Sequence, residues 1–381
     1  MVSYWEQNSY LKKLDVAIVG AGLLGLWTAY ELLMQNNALK ITILEEGCLP
    51  SGASTRNAGF ACFGSPSELL HDLETMGEHQ VWNIVDMRFR GIGKMRKVLG
   101  DEKIGFEALG GYEVFEPGQA LWQKVESNLG NLNKGMQAIS GVAQLFFPAH
   151  GQIELQALRG FEKMIASTGE GTVDSGQLVK CLSKKVRKLG AQIIYGASVQ
   201  AIDAGNKWQE LLVETAGRTA IWKARKVVVC TNGRLCRLMP ALDVKPARGQ
   251  ILLTPPIEGL RMRGTFHAQE GYYYFRNLGN RILLGGARHT SFAAEETTEL
   301  STSEEIQQHL NAFVKTHFAQ AGALPKKGWQ RWAGTMAFTS NKLPLLHQQQ
   351  SGVWAATCCN GMGVALSPIF AEQVASTVLQ G

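Results

Sequence analysis

The sequence predicts two domains of different class, one α/β and one α+β built on an antiparallel sheet. Three observations carry that expectation. The chain has 381 residues, more than one hydrophobic core usually serves, because cores stop growing at about 250–300 residues. Residues 15–45 read as strand, helix and strand, with glycines at the first turn. Around Leu278-Gly279-Asn280 the period changes, and residues 272–276 and 281–284 alternate as the arms of a hairpin do. Composition agrees with a packed chain. Hydrophobic residues make up 45% and charged residues only 18%, which excludes a disordered chain, whose defect is too little apolar surface to offset the entropy of ordering. The 42 glycines follow no Gly-X-Y period, so many should mark sharp turns or close approaches of backbone.

The first elements have a definite logic. Residues 15–19 form a buried strand, and Gly20-Ala21-Gly22-Leu23-Leu24-Gly25 opens an amphipathic helix that runs through Leu33. A second strand, 42–44, ends at Glu45. In a Rossmann-type βαβ unit Gly20 permits the tight turn, Gly22 lets backbone approach a pyrophosphate, and Gly25 lets the helix sit close to the sheet. The helix start, with Leu24 in its first turn, offers free N–H groups and a partial positive charge to that pyrophosphate. Glu45 follows Gly25 by the spacing at which an acid binds ribose hydroxyls, and an acid there disfavours a 2′-phosphate. Flavin and nicotinamide dinucleotides both satisfy this unit. Lys12-Lys13 and the uncharged run 16–30 imitate a signal peptide, but no small-residue cleavage site follows and the run is too short to span a bilayer. Further on, 304–318 has helical spacing with Ser301 or Ser303 as its cap.

The choice of dinucleotide falls in Ser51-Gly52-Ala53-Ser54-Thr55-Arg56-Asn57-Ala58-Gly59-Phe60. This stretch resembles the "GASxRNxG" signature of the D-amino-acid oxidase superfamily, which includes glycine oxidase, sarcosine oxidase and amine oxidoreductases of the γ-glutamylputrescine type. The resemblance continues in family order. Gly171-Thr172-Val173-Asp174 with the helix 178–189 looks like the "GxVDP" loop, although Ser175 replaces the proline. Strands in 193–202 place Val199 where the family's backbone meets adenine, and Thr231-Asn232-Gly233 resembles its "ATNG" turn. Arg248-Gly249-Gln250 and Arg331-Trp332-Ala333-Gly334 look like the start and the return strand of its substrate sheet. Asn360-Gly361-Met362-Gly363-Val364 opens a last helix whose N-terminus points at the flavin in that family. The resemblance implies FAD, with Gly20, Gly22, Leu24, Gly25, Glu45, Ser54, Thr55, Asn57, Gly59, Val199, Asn232, Gly361, Met362, Gly363 and Val364 as its contacts. It also implies that the domains are threaded through each other: 1–79, 165–242 and 328–381 form a Rossmann-type FAD-binding domain, and 80–164 with 243–327 a substrate domain.

In such enzymes a hydride leaves the carbon beside an amine for flavin N5, and water hydrolyses the imine. No dedicated catalytic residue follows from that chemistry. Two departures bear on the substrate. Members that oxidise glycine or D-amino acids grip the carboxylate with an arginine at the position that is Met336 here, and glycine oxidase has a second arginine where this chain has Gly361. A methionine cannot supply a guanidinium fork, so small α-amino acids are demoted unless Arg288, Arg331 or Arg56 reaches in. Thr339 and Leu343-Pro344 after Trp332 look more like the amine-oxidising branch. Residues 332–340 lack the cysteine by which sarcosine-oxidase relatives tether FAD, so the FAD is expected to be non-covalent. Phe60, His267, Tyr272, Tyr274 and Met336 are the candidate pocket residues. His267 is either a structural histidine or a substrate contact, and Tyr272 falls where glycine oxidase carries a substrate-contacting tyrosine. Tyr273 must point away from its neighbours on a strand.

The expected function is therefore oxidation of the C–N bond of a primary or secondary amine, with oxygen or another electron acceptor regenerating the flavin. Two alternatives stand beside it: an amino-acid (glycine, sarcosine or D-amino-acid) oxidase or dehydrogenase with a relocated carboxylate site, and a flavin-binding subunit of a larger redox complex. The net charge of +6 is spread over short basic clusters, so no nucleic-acid partner is expected. Seven cysteines form no CxxC pair, and Cys358 and Cys359 are adjacent. They suggest a reducing compartment and a soluble cytoplasmic protein with neither disulfides nor a metal site nor an integral membrane segment.

Overall fold

A computed structural model describes residues 3–9, 11–321, 324, 327–357 and 359–381; Cys358 lies outside them. Two large sheets are threaded through each other along the chain. At the centre of the first lies Leu14–Val19, parallel to Ile41–Glu45 on one side and to Arg218–Val229 on the other. Gln192–Tyr195 and Val353–Thr357 extend this parallel core outward. Val16, Ala17, Ile18 and Val19 are all buried, as expected of a strand covered by helices on both faces. An antiparallel hairpin, Ala197–Asp203 with Gln209–Thr215, continues from the outer half of Arg218–Val229.

Helices Leu23–Gln35 and Glu78–Leu99 both pack on the last helix, Gly363–Gln380. Helix Ser175–Lys188 starts at Asp174, whose carboxylate accepts the Gln177 N–H at 2.9 Å. Among the described residues no helix is long and apolar enough to cross a membrane.

The second sheet runs in the order Gln330–Phe338, Lys245–Leu253, Arg281–Gly286, Tyr273–Leu278, Thr265–Ala268, Gly111–Phe115, Lys163–Ser167, Phe146–Pro148. Its pairs are antiparallel except one, Thr265–Ala268 with Gly111–Phe115, which is parallel. Helix Glu304–His317 covers one face, where Phe313 stacks on Tyr273 at 4.4 Å and packs with Phe275 and Leu284. Across the other face runs a register row of Glu113, His267, Tyr274, Gly285, Ile251 and Trp332.

Three expectations need correction. The strand Gln330–Phe338, whose motif reads as the return strand of the substrate sheet but which the boundary at 328 groups with the first domain, pairs along its whole length with Lys245–Leu253 of the second sheet. Lys163–Ser167 likewise belongs whole to the second sheet and straddles the boundary placed at 165. Ser303 occupies the N-cap position of Glu304–His317 but caps nothing with its side chain. Its hydroxyl instead accepts from Gln250 Nε2 at 2.8 Å and donates to Glu295 Oε1 at 3.1 Å.

Candidate active site

The two sheets enclose one deep cavity of about 950 Å³. It begins at the first turn. Gly20 has φ +104°, and a Cβ there would lie 2.8 Å from the Cys230 carbonyl oxygen. At Gly22 a Cβ would meet only Ser54 Oγ, at 3.1 Å, so the turn is open toward the cavity. Leu24 lines the cavity beside it, whereas Gly25 does not. Gly25 works as a packing glycine, because a Cβ there would stand 2.1 Å from Gly20 O. Glu45 reaches the same end of the cavity and accepts the Ala21 N–H at 2.8 Å and the Gly47 N–H at 3.2 Å. Burial pushes its carboxyl above the usual range, against the pull of those two bonds.

The 51–60 loop divides its labour in a way the motif letters do not reveal. Ser54 lines the cavity, and its hydroxyl accepts the N–H of Leu23, the first residue of the fingerprint helix. Thr55 does not line it; its hydroxyl donates to Pro50 O at 2.6 Å. Gly59 does not line it either, and has φ +72° against Val173 O and Arg276. Asn57 touches the cavity but mainly clamps the loop. It donates to Ala53 O and Ser54 O and accepts from Gly59 N–H and the Ser175 hydroxyl. The serine that replaces the family's proline is thus a partner of this clamp.

Val199 and Asn232 also line the cavity. Asn232, at φ +52°, ties its turn to the second sheet by donating to Thr335 O at 2.8 Å. Gly361, Met362, Gly363 and Val364 bring the N-terminus of Gly363–Gln380 to the cavity wall.

At the far end Phe60 meets the His267 ring at 5.3 Å and the Tyr274 ring at 5.9 Å, both edge to face. Gly285 makes room for Tyr274, since a Cβ would come 2.3 Å from that ring. Burial pushes the Tyr274 phenol up to about 12. The Met336 thioether fills the space between Gly249 and Gly361. Tyr272 sits at the mouth, 37% exposed and tilted over His289, while Tyr273 faces the opposite core as expected.

The three arginines that could relocate a carboxylate site separate cleanly. Arg331 donates to Asn311 and Gln307, away from the cavity. Arg56 lines it, but spends its guanidinium on Ser51 O at 2.8 Å and Ala333 O at 3.0 Å. Arg288 also lines it, with its guanidinium 4.7 Å from the Phe292 ring and 4.9 Å from the Phe338 ring. Burial lowers its pKa.

Several wall residues escaped sequence reasoning. Among the described residues the buried hydroxyls of Thr231, Thr357 and Ser367 have no hydrogen-bond partner, and neither ring nitrogen of His267, a candidate named above, has one. All four residues line this cavity. Buried polar groups are normally satisfied, so these atoms are free to pair with a bound group. Glu68 and Asp72 also enter the wall, from helix Pro66–Met76. Ser65 and Glu68 at capping-box spacing, with Pro66 at the first helical position, are the sequence signals for that helix.

The open glycine turn, the acid behind it and the unsatisfied hydroxyls along one continuous cavity fit an extended dinucleotide. With the fold they define the class: an oxidoreductase that works through FAD. The chain belongs to the DAO family, described as FAD dependent oxidoreductase, whose profile matches residues 15–377.

Solved structures of similar fold include L-proline dehydrogenase from P. horikoshii, with a TM-score of 0.77 at 16% identity over 97% of this chain and 94% of that one. Glycine oxidase from Geobacillus kaustophilus gives 0.75 at 21% identity, covering 97% and 95%. L-alpha-glycerophosphate oxidase from Mycoplasma pneumoniae, with FAD bound, gives 0.74 at 16% identity, covering 97% and 95%. No curated protein matches the chain in sequence.

Proposed function

We propose that the chain oxidises the C–N bond of a primary or secondary amine and releases an imine that water hydrolyses. FAD supplies the hydride acceptor, and oxygen or another acceptor removes the electrons. The observation that carries this reading is the pocket end of the cavity. Phe60, Tyr274 and Met336 line it with aromatic and thioether surface, and the sequence resemblance puts Met336 at the position of a carboxylate-binding arginine. Non-covalent FAD is part of the reading. Of the cysteines on the wall, Cys62 and Cys230 are held as thiols by burial, Cys230 with its pKa pushed up to about 12, and a thiol is a poor nucleophile. Cytoplasmic location is a further part, supported by Cys48, Cys62, Cys181, Cys230 and Cys236 being free.

The purified protein is expected to be yellow and to release free FAD on acid treatment. Anaerobic addition of an amine should bleach the flavin, while glycine and D-alanine should not. Rapid bleaching by D-alanine would overturn the reading.

Arg288 favours a second reading, in which an amino acid binds by its carboxylate. Among the described residues its guanidinium donates no hydrogen bond, and an arginine partly desolvated between two rings suits an anion. Under it, benzoate perturbs the flavin spectrum and Arg288→Gln weakens that binding at least about tenfold, the equivalent of ~1.4 kcal/mol. An unperturbed spectrum leaves the amine reading alone.

A further inference from the structure

His267 lies in the middle of the second sheet and lines the cavity, with only 6% of its surface exposed. Among the described residues neither ring nitrogen has a hydrogen-bond partner. Its Nδ1 stands 3.4 Å from Glu68 Oε2, and the Glu68 side chain is 31% exposed. Helix Pro66–Met76 holds that carboxylate in place, because Glu68 Oε2 accepts the Ser65 N–H at 3.1 Å and the Ser65 hydroxyl at 2.9 Å. A buried imidazole open to the cavity thus backs onto a fixed carboxylate that reaches water.

We propose that His267 accepts the proton that the substrate's ammonium group gives up, and that Glu68 passes it to solvent. This rests on the amine reading above. An N–H bond of the ammonium breaks, its electron pair stays on nitrogen, and the proton forms a new N–H bond on the imidazole. The imidazole then loses its Nδ1 proton to the Glu68 carboxylate. No electrons change owner in this step. It leaves a neutral amine, whose lone pair assists departure of hydride from the adjacent carbon.

The surroundings keep the imidazole ready. Burial lowers the His267 pKa, against the Glu68 charge that raises it, so the ring is neutral at pH 7. The other groups on its face do not compete. Burial raises Glu113, its register neighbour, to about 8 and Tyr274, on the other side, to about 12, so both carry protons. Arg88, His71, Asp72, Glu270 and Lys342 line the same cavity, and Asp72 pairs with Lys342 at 2.8 Å. Arg88 donates to Phe63 O and His71 faces Glu270.

Two measurements on the FAD-loaded protein test this. Histidine resonances of isotope-labelled protein, with His267 assigned from the His267→Gln spectrum, should titrate to a lower midpoint in Glu68→Gln than in wild type. An unmoved midpoint overturns the coupling. In anaerobic stopped-flow with the amine that best bleaches the wild type, reduction should slow as pH falls through the His267 midpoint. His267→Gln, still yellow, should lose that limb and slow on the order of 10²-fold. Wild-type rate and profile in His267→Gln overturn the proton role while the amine function stands. If no amine bleaches the wild type, the amine function falls and the proton role falls with it.

Discussion

Gly25 shows how little room the cofactor turn leaves. A Cβ at Gly25 would come 2.1 Å from the carbonyl oxygen of Gly20, a main-chain atom that cannot swing aside. Gly25→Ala must therefore lift the helix Leu23–Gln35 off its turn. The expected outcome is a folded protein with little bound flavin, destabilised by about 1–3 kcal/mol. The flavin-to-protein absorbance ratio and a denaturation midpoint check it; a full complement of FAD would refute it. At this scale sequence and structure agree best where backbone geometry demands one residue type, as at Gly20, whose φ is +104°. They part where direction decides. Thr55 and Gly59 look like cofactor contacts by their motif letters, yet Thr55 bonds the loop's own backbone and Gly59 packs against Val173 O and Arg276. His267 was legible as a candidate, but its partner Glu68 arrives from a helix far away in the chain, and no local pattern joins the two.

The helices make the same point one level up, in the pair Gly91 and Gly93. Both lie in helix Glu78–Leu99, two residues apart, and composition treats them alike. At Gly91 a Cβ would come 1.8 Å from Ala365 O, where this helix crosses Gly363–Gln380. At Gly93 nothing lies within 4 Å. Gly93→Ala should stabilise the protein by about 0.4–1 kcal/mol, because alanine lowers the entropy of the unfolded chain without strain in the helix. Gly91→Ala should destabilise it by about 1–3 kcal/mol through overpacking. It should also weaken FAD retention, since the displaced helix carries Gly363 and Val364 on the cavity wall. Thermal denaturation of the two variants side by side decides this; equal shifts would show that the crossing has slack. Which glycine meets a neighbouring helix is a tertiary fact, and periodicity within one helix does not contain it.

Across the whole molecule the two sheets meet at a short connection that two buried acids hold. Glu170 accepts the Phe63 N–H at 3.2 Å, and Glu113 accepts the Ser67 N–H at 3.0 Å as well as the Ser67 hydroxyl. Glu113 sits on the second sheet, while Glu170 precedes the strand Gly171–Thr172 that pairs with Phe60–Ala61 after the cofactor loop. Motif order carries the expectation of interleaved segments, but this junction was not legible, because both acids look like ordinary solvated residues until their burial is known. Burial raises each carboxyl from 4.5 to about 8, more than the N–H donors lower it. The sign follows from linkage: the folded state holds these protons more tightly than the unfolded chain does. The stability they contribute is full below about pH 4.5 and is lost progressively as pH rises through about 8. Glu295 acts oppositely. Burial pushes its carboxyl up, but the hydrogen bonds from Arg248 and Gln250 outweigh that and hold it below its usual range. Its contribution is therefore present above the ordinary carboxylate pKa and lost in acid. With FAD kept saturating, the melting temperature of wild type should fall as pH is raised from mildly acidic to beyond 8, and the Glu113→Gln, Glu170→Gln double variant should fall less. Each glutamine keeps the carbonyl that accepts its N–H and has no charge to acquire, so the flatter profile reads the buried charges themselves. If the double variant declines as steeply as wild type, the alkaline sensitivity lies elsewhere and these acids do not govern the junction.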